Sequence, residues 1–378
     1  MELIKFADNF GPEKVLEVYN PKTRLKGILV IDNTTLGPGK GGIRMTSTVN
    51  VKEVFLLART MTWKCALAEL SFGGAKAGII ADPKNISKQE KKKLIQSFSR
   101  ALKPLCPSMY IAAPDMGTGE EEMKWFAEAN GSLKSCTGKP ADMCVKNGEK
   151  CGIPHEYGSV GFGVVHSTMV AIDHLGLDKD RLTAAIEGFG NVGSFTAKYL
   201  SEARVKLVAV SDSSGCIYNR EGLDFKRLYN VKQKYGTVVK YRDGKILANE
   251  ELFRLPVDVL IPAALSNVIN EKNIGEIKAK IVIEAANIPM VPEIEDLLYG
   301  RGILVIPDLV ANAGGVISSY AEYRGYNPSQ LLSSIERKIK KNVRAVLNIS
   351  EERGIKPRDA AMEIAKERVE KATNMFEW

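Results

Sequence analysis

Apolar and polar residues follow two alternating periods along the chain, one typical of strands and one typical of helices. Residues 25–31 alternate and are rich in branched side chains, which predicts a strand. Over residues 51–70 the apolar positions recur every three or four residues, which predicts an amphipathic helix. Capping pairs such as Thr118 with Glu121 mark the starts of further helices. This alternation predicts an α/β protein.

The middle of the chain carries a series of short apolar strands that each run out into small or polar residues. These strands lie at residues 181–187, 205–211, 257–261, 281–285 and 303–306. Apolar strands separated by helices are typical of a parallel sheet covered on both faces, and ligands bind at the carboxyl ends of its strands. We therefore predict a doubly wound Rossmann sheet in this part of the chain.

These patterns divide the 378 residues into three segments. Residues 1–138 are predicted to form an α/β substrate and catalytic domain, and residues 139–311 are predicted to form the Rossmann domain. The length of the whole chain suits two domains. Residues 312–378 contain two helical patterns, over 328–347 and 359–373, which we expect to return to the first domain. The predicted fold is thus α/β, with two domains and a catalytic cleft between them.

A glycine-rich turn joins the first strand of the middle segment to a helix. It reads Gly188-Phe189-Gly190-Asn191-Val192-Gly193, and an acid, Asp212, follows the next strand about 20 residues later. This is the dinucleotide fingerprint: the glycines permit a tight turn, the approach of the pyrophosphate and close helix packing, while the acid binds a ribose hydroxyl. Asp212 would repel a 2′-phosphate, which favours NAD, whereas Ser213 could hydrogen-bond one, so NADP or dual use stays open. Further cofactor contacts are expected at later strand ends, at Ala263, Ala264 and Asn287.

Three lysines and one aspartate stand where catalytic or binding groups are expected. Lys76 lies in a glycine-rich stretch, residues 70–78, which we interpret as an open turn where a partly desolvated amine can act as a base near neutral pH. Lys40 lies in a similar turn, and Lys64 lies on the apolar stripe of the first helix. Asp115 follows a predicted strand. Each also has a plainer interpretation, as a surface or snorkelling lysine or as a turn aspartate.

Composition and charge argue against several other classes of protein. The six cysteines form no Cys-x-x-Cys pair and no histidine stands at ligand spacing, so we expect reduced thiols, no metal site and no disulfide. The net charge of +8 comes from lysines interleaved with glutamates, which suits a small anionic substrate or cofactor better than nucleic acid. With no signal peptide and no apolar run of membrane-spanning length, we expect a cytoplasmic protein without a membrane partner.

Taken together, the motifs resemble those of the amino-acid dehydrogenase family that includes glutamate, leucine, phenylalanine and valine dehydrogenases. The similar stretches extend over nearly the whole chain: Gly39-Lys-Gly-Gly-Ile-Arg44, Met61-Thr-Trp-Lys64, Phe72-Gly-Gly-Ala-Lys76, Pro114-Asp-Met-Gly-Thr118, Thr137-Gly-Lys-Pro140, Gly188 to Gly193, Pro262-Ala-Ala264, Ala286-Asn287 and Asn312-Ala-Gly-Gly-Val316. Together and in this order, these stretches are highly specific.

The resemblance implies a role for several of the candidate residues. Lys76 corresponds to the family's catalytic lysine and Asp115 to its proton-transfer partner. Lys64, with help from Asn312, corresponds to the cation that holds the α-carboxylate of the substrate.

The resemblance also implies that Lys40 and Ser319 read the substrate side chain. A cation beside a hydroxyl suits a second carboxylate, which favours L-glutamate. The implied reaction is reversible NAD(P)-dependent oxidative deamination of L-glutamate to 2-oxoglutarate and ammonia by a homo-oligomer, with a hexamer favoured. Two alternatives stay open: a leucine/branched-chain or other apolar amino-acid dehydrogenase, and a catalytically inactive relative that senses dinucleotides.

Overall fold

The computed structural model describes residues 7–146, 149–153 and 157–376. The chain folds into two compact units. The first unit comprises the chain up to Tyr157, Val316–Leu331 and the chain from Met362 onward, and the second comprises Gly158–Gly315 and Leu332–Ala361. Each unit contains a large sheet flanked by helices, so the predicted α/β class is confirmed. None of the helices in the described ranges has both the length and the hydrophobicity needed to cross a bilayer.

Strands and helices alternate along the chain. The strands of the described residues are β1 (Lys14–Asn20), β2 (Leu25–Asn33), β3 (Gly39–Thr46), β4 (Gly73–Ile80), β5 (Tyr110–Pro114), β6 (Cys144–Lys146), β7 (Glu149–Cys151), β8 (Thr183–Glu187), β9 (Lys206–Asp212), β10 (Gly215–Tyr218), β11 (Lys245–Leu247), β12 (Val259–Pro262), β13 (Ile281–Ile283) and β14 (Leu304–Ile306). The α-helices are α1 (Val51–Leu67), α2 (Lys88–Ala101), α3 (Glu120–Asn130), α4 (Ser159–His174), α5 (Asn191–Glu202), α6 (Phe225–Tyr235), α7 (Pro292–Gly300), α8 (Asp308–Ala311), α9 (Gly314–Arg324), α10 (Pro328–Arg353) and α11 (Pro357–Phe376).

The sheet of the first unit has the strand order β1-β2-β4-β3-β5, and β3 is parallel to both of its neighbours. One face packs against α2 and α3 in a core that includes Ile43, Phe98 and Phe126. The other face is covered by α1, which approaches so closely that a Cβ atom on Gly74 would lie 2.1 Å from the Oγ1 atom of Thr62. Glycine in β4 therefore lets a helix lie directly on the sheet.

The two glycine-rich stretches that we expected to be turns are strands, β3 and β4, so that expectation was wrong. Lys40 and Lys76 consequently lie on regular strands inside the sheet. The reason for the glycines is close packing: a Cβ atom on Gly41 would lie 1.7 Å from the carbonyl oxygen of Ala75. Glycine is required at these positions because other atoms pack closely against the strand, and the backbone itself is extended.

The sheet of the second unit has the order β11-β10-β9-β8-β12-β13-β14. The five strands from β9 to β14 in this order are parallel, and they correspond to the five apolar strands predicted from the sequence. The antiparallel edge formed by β10 and β11 was not predicted. The strand order reverses between β8 and β12, and the crevice at the carboxyl ends of strands around such a point is where ligands bind. The predicted doubly wound sheet is confirmed.

The expectation that all cysteines are reduced was wrong for one pair. Cys144 and Cys151 are joined by a disulfide. The antiparallel pairing of β6 with β7 sets these two residues directly opposite each other, a closeness that their separation of seven residues does not reveal. The other four cysteines are free and buried.

Candidate functional site

Lys76 and Asp115 form an ion pair in the first unit. The Lys76 Nζ atom lies 2.8 Å from Oδ2 of Asp115, and Lys76 is buried on β4 while Asp115 follows the end of β5. Arg44 on β3 reaches the same oxygen, with its Nε atom at 3.1 Å, and its Nη1 atom lies 2.7 Å from Oε1 of Glu53. Arg44 was not predicted to be a site residue, although it closes a glycine-rich motif that carries the family resemblance.

The surroundings of Asp115 keep its carboxylate ionised. Burial raises the pKa of Asp115, but the Lys76 ammonium and the Arg44 guanidinium together outweigh that effect, so the net pKa is lowered. At neutral pH Asp115 is therefore a carboxylate, held in that form by the two cations. A Cβ atom on Gly42 would lie 2.8 Å from the Cβ atom of Asp115, so glycine at this position makes room for the carboxylate.

The loop after Asp115 is fixed by Thr118. The backbone N–H of Asp115 donates to Oγ1 of Thr118 at 2.9 Å, and that hydroxyl donates to the carbonyl oxygen of Ile43 at 2.7 Å. The predicted capping pair of Thr118 with Glu121 was wrong, because α3 is capped by Gly119 and its N–H donates to Glu122. The Thr118 side chain instead holds the backbone of Asp115 in place through these two hydrogen bonds.

Lys40 lies on the same face of the sheet as Lys76. It pairs with Gly74, two residues before Lys76, and residues two apart on a strand share a face. Lys40 is 1% exposed, and its Nζ atom donates to the carbonyl oxygens of Ala112 at 2.7 Å and Ile111 at 3.4 Å. Burial lowers the pKa of Lys40 to about 7.

The remaining candidates for substrate binding belong to different elements. Lys64 is buried in the last turn of α1, and Ser319 is half-buried on α9. Asn312 belongs to the second unit, where its Nδ2 atom donates to Oδ1 of Asn287 at 3.0 Å. The structure thus links Asn312 directly to one of the predicted cofactor residues.

The glycine-rich turn after β8 has the geometry that a pyrophosphate requires. Gly188 has a φ of +93°, and a Cβ atom on Gly193 would lie 1.8 Å from the Gly188 carbonyl oxygen. No atom would come within 4 Å of a Cβ on Gly190. Gly190 is the N-cap residue of α5, which begins at Asn191. An open glycine at a helix N-terminus, with its free backbone N–H groups, is suited to a phosphate.

Asp212 ends β9 as predicted, but its carboxylate already has several partners inside the protein. Its Oδ2 atom accepts from Lys232 at 2.7 Å and from the Val238 N–H at 2.8 Å, and its Oδ1 atom accepts from the Ser214 N–H at 2.9 Å. A ribose hydroxyl would have to share or replace one of these bonds. Lys232, which was not predicted to be a site residue, neutralises the acid, and the neighbouring Ser213 is exposed.

The loops that carry the predicted strand-end residues Ala263, Ala264 and Asn287 are each held by a carboxylate. The backbone N–H groups of Ala263 and Ala264 donate to Oε2 of Glu187, at 3.2 Å and 3.1 Å. At the end of β13, the Ile288 N–H donates to Oδ2 of Asp308 at 3.1 Å. Both loops are thus held by acids that follow or end neighbouring strands.

An arginine-centred cluster supports the loop after β13. Arg358 on α11 contacts three buried carboxylates: Oε2 of Glu284 at 2.5 Å, Oδ1 of Asp308 at 3.1 Å, and Glu295. Burial raises the pKa of Glu284 to about 8, with the other two acids adding to the rise and Arg358 opposing it. These residues are far apart along the chain, and no local pattern in the sequence indicated the cluster.

Comparisons with known proteins identify the family of the chain. The model of the family described as "Glutamate/Leucine/Phenylalanine/Valine dehydrogenase" matches residues 151–375, and the model of its "dimerisation domain" matches residues 12–131. The chain belongs to this dehydrogenase family.

Individual members of the dehydrogenase family match most of the chain. A glutamate dehydrogenase of Thermotoga maritima is 40% identical over 361 residues, which are 92% of this chain and 85% of the relative. An NADP-specific glutamate dehydrogenase of Saccharolobus shibatae is 38% identical over 81% of this chain and 72% of its own length. Among solved structures, the hetero-hexameric glutamate dehydrogenase of Thermus thermophilus, in a leucine-bound form, superposes with a TM-score of 0.84 at 29% identity, covering 96% of this chain and 90% of that one.

Proposed function

We propose that this dehydrogenase catalyses the reversible NAD(P)-dependent oxidative deamination of L-glutamate to 2-oxoglutarate and ammonia. The observation that carries the proposal is the buried Lys40 ammonium on the same sheet face as the Lys76–Asp115 pair. A buried ammonium that has only backbone carbonyls as hydrogen-bond acceptors among the described residues calls for an anionic partner, and the side-chain carboxylate of glutamate supplies one. The similarity to proteins named glutamate dehydrogenases supports the same substrate.

Lys76 and Asp115 carry the proton transfers in this proposal. The bound nicotinamide dinucleotide supplies the hydride acceptor for the hydrogen on Cα. Lys76 orients and activates the water that adds to the resulting iminium carbon, and its cationic form stabilises charge on the carbinolamine oxygen. Asp115, ionised and 2.8 Å from the Lys76 amine, takes a proton from the substrate α-ammonium before hydride transfer and delivers it to the carbinolamine nitrogen, which leaves as ammonia. Arg44 is proposed to hold that carboxylate in place.

Substrate recognition is assigned to four polar groups. We propose that Lys64 and Asn312 hold the α-carboxylate, and that Lys40 and Ser319 read the side chain. All four residues are buried or half-buried, as groups that exclude water from a small anionic substrate must be.

For the cofactor, we propose that the enzyme accepts both NAD and NADP. The turn from Gly188 to Gly193 suits the pyrophosphate of either one. The argument from sequence for NAD was the charge of Asp212, but Lys232 offsets that charge and stands where it can also attract a 2′-phosphate. Replacing Lys232 with Met should therefore lower kcat/KM for NADP more than for NAD, and an equal change for both would contradict the proposal.

We further propose a homo-oligomer, with a hexamer favoured. The match to a dimerisation-domain model and the similarity to a hetero-hexameric glutamate dehydrogenase support assembly into an oligomer. Mass measured by light scattering tests it directly. The cytoplasmic location expected from the sequence stays a prediction.

A substrate panel tests the proposed reaction. Initial rates should be measured with glutamate, leucine, valine and phenylalanine, each with NAD and with NADP, and glutamate should give the highest kcat/KM. A clear preference for leucine would replace the proposal with an apolar amino-acid dehydrogenase. Dinucleotide binding without turnover of any of these amino acids would favour the non-catalytic relative.

A further inference from the structure

Three ionisable side chains are buried together in the first unit, beyond the Lys76 pair. Lys40, Lys139 and Glu322 are 1%, 3% and 4% exposed. The Lys139 Nζ atom donates to Oε1 of Glu322 at 2.5 Å and to the carbonyl oxygen of Cys136 at 2.7 Å. Lys139 and Glu322 both act electrostatically on Lys40, so the three residues form one charge cluster.

Glu322 is fixed by partners on both of its oxygens. While Oε1 faces Lys139, Oε2 accepts from the backbone N–H of Gly138 at 2.8 Å and of Ile153 at 3.2 Å. Glu322 lies three residues after Ser319 on α9, so both project from the same side of that helix. The residue proposed to read the side chain of the substrate is therefore one turn away from a fully engaged carboxylate.

The backbone places the Lys139 segment beside Lys40. The carbonyl oxygen of Ala112 accepts from the Lys40 Nζ atom at 2.7 Å and from the Thr137 N–H at 2.9 Å. An ammonium has three donors, and among the described residues only the carbonyls of Ile111 and Ala112 accept from Lys40. One donor of Lys40 is left to a ligand.

The charges of the cluster do not balance by themselves. Two ammonium groups and one carboxylate leave one positive charge in a buried place when Lys40 is protonated, and a buried unpaired charge is costly. A side-chain carboxylate of the substrate would bring the total to zero. The substrate carboxylate is needed to neutralise Lys40 only while Lys139 is paired with Glu322, because an unpaired Glu322 could neutralise Lys40 itself.

We propose that Lys139 is a specificity-determining residue, which engages Glu322 and so leaves the Lys40 ammonium for the side-chain carboxylate of the substrate. The inference rests on the proposed function, since it takes Lys40 as the group that reads a glutamate side chain. The recognition of the substrate side chain by Lys40 then depends on Lys139, although Lys139 itself binds no part of the substrate.

The test compares a dicarboxylate with a monocarboxylate of the same chain length. Inhibition constants for glutarate and pentanoate, and kcat/KM for glutamate and leucine, are measured for the wild type, Lys139→Met and the double variant Lys139→Met/Glu322→Gln. Lys134→Met is the matched control, because it removes the same charge from an exposed position in the preceding segment.

Lys139→Met should weaken glutarate roughly 10- to 100-fold while changing pentanoate less than about threefold, because Glu322 then competes for Lys40. The double variant removes both charges and should recover most of the glutarate affinity. Lys134→Met should match the wild type. Equal losses for glutarate and pentanoate, or a double variant as unselective as Lys139→Met, would overturn the inference and leave Lys139 a structural residue.

Two further outcomes are decided by the same data. If wild-type enzyme binds glutarate no better than pentanoate, the proposed function fails and the inference fails with it. If the wild type selects glutarate and Lys139→Met does so equally, only the inference fails. Should Lys139→Met not fold, the double variant decides, since it must keep the selectivity for glutarate.

Discussion

Replacing Lys40 with Met is the sharpest test of what the buried lysine does. Methionine keeps an unbranched side chain of similar length, so the main change is the loss of one ammonium group that is 1% exposed. The Ala112 carbonyl keeps a second donor, the Thr137 N–H at 2.9 Å, so the backbone nearby stays hydrogen-bonded. Removing one partner of a buried ion pair costs about 3–5 kcal/mol, which corresponds to roughly 10²- to 10³·⁵-fold in kcat/KM.

The expected result of Lys40→Met is a change of preference and not a general loss of activity. The kcat/KM for glutamate should fall by that factor, whereas the value for leucine should change less than about tenfold or rise, because an apolar side chain gains an apolar neighbour. Initial rates followed through the absorbance of the reduced nicotinamide give both values, and an unchanged Tm excludes misfolding. Equal losses for glutamate and leucine would refute the assignment of Lys40 to side-chain recognition.

Three other results are expected from the charges and thiols of the structure. Because burial lowers the pKa of Lys40 to about 7, the kcat/KM for glutamate should fall roughly tenfold per pH unit above that value, while the profile for leucine does not share this fall; coincident profiles would argue against it. Glu284 has a pKa raised by burial to about 8, so the folded protein holds a proton that the unfolded chain releases near its ordinary value of 4.5. The free energy of unfolding should therefore decrease as pH rises from about 4.5 to about 8, and Tm measured across this range should decline less in Glu284→Gln; identical slopes would exclude Glu284 as the source. Finally, thiol titration of denatured, unreduced protein should detect four thiols and reduced protein six, because Cys144 and Cys151 are paired; six in both states would show that the disulfide is absent.

Much of the second unit could be predicted because its signals are local. The turn from Gly188 to Gly193 stands between an apolar strand and a helix, and each of these features spans only a few neighbouring residues. The structure has the same strand, turn and helix, and the five parallel strands lie at the predicted positions along the chain. The partner of Asp212 was not predictable in this way, because Lys232 reaches it from α6, across a strand and a loop.

Contacts between distant segments account for the features that could not be predicted. Arg358 gathers Glu284, Glu295 and Asp308 from 50 to 74 residues away, so no local spacing in the sequence indicates that these four residues meet. The disulfide was missed for a similar reason, since only strand pairing brings its two cysteines together. Such features depend on the tertiary structure and leave no period or motif behind.

The surroundings of Lys76 show that the closeness of two side chains can be expected even where the local backbone is predicted wrongly. Glycine on both sides of the lysine is typical of a turn. Here glycine is needed because side chains and backbone from other elements pack against it, as Thr62 on α1 packs against Gly74. Residues 70–78 alone do not distinguish a flexible turn from a strand under a closely packed helix. The pairing with Asp115 did not depend on that distinction. Ile43 on β3 pairs with Ala77 on β4 and with Pro114 on β5, so the register of the parallel strands brings Lys76 and Asp115 to nearly the same level of the sheet. The closeness of Lys76 and Asp115 was therefore easier to predict than the backbone that carries them.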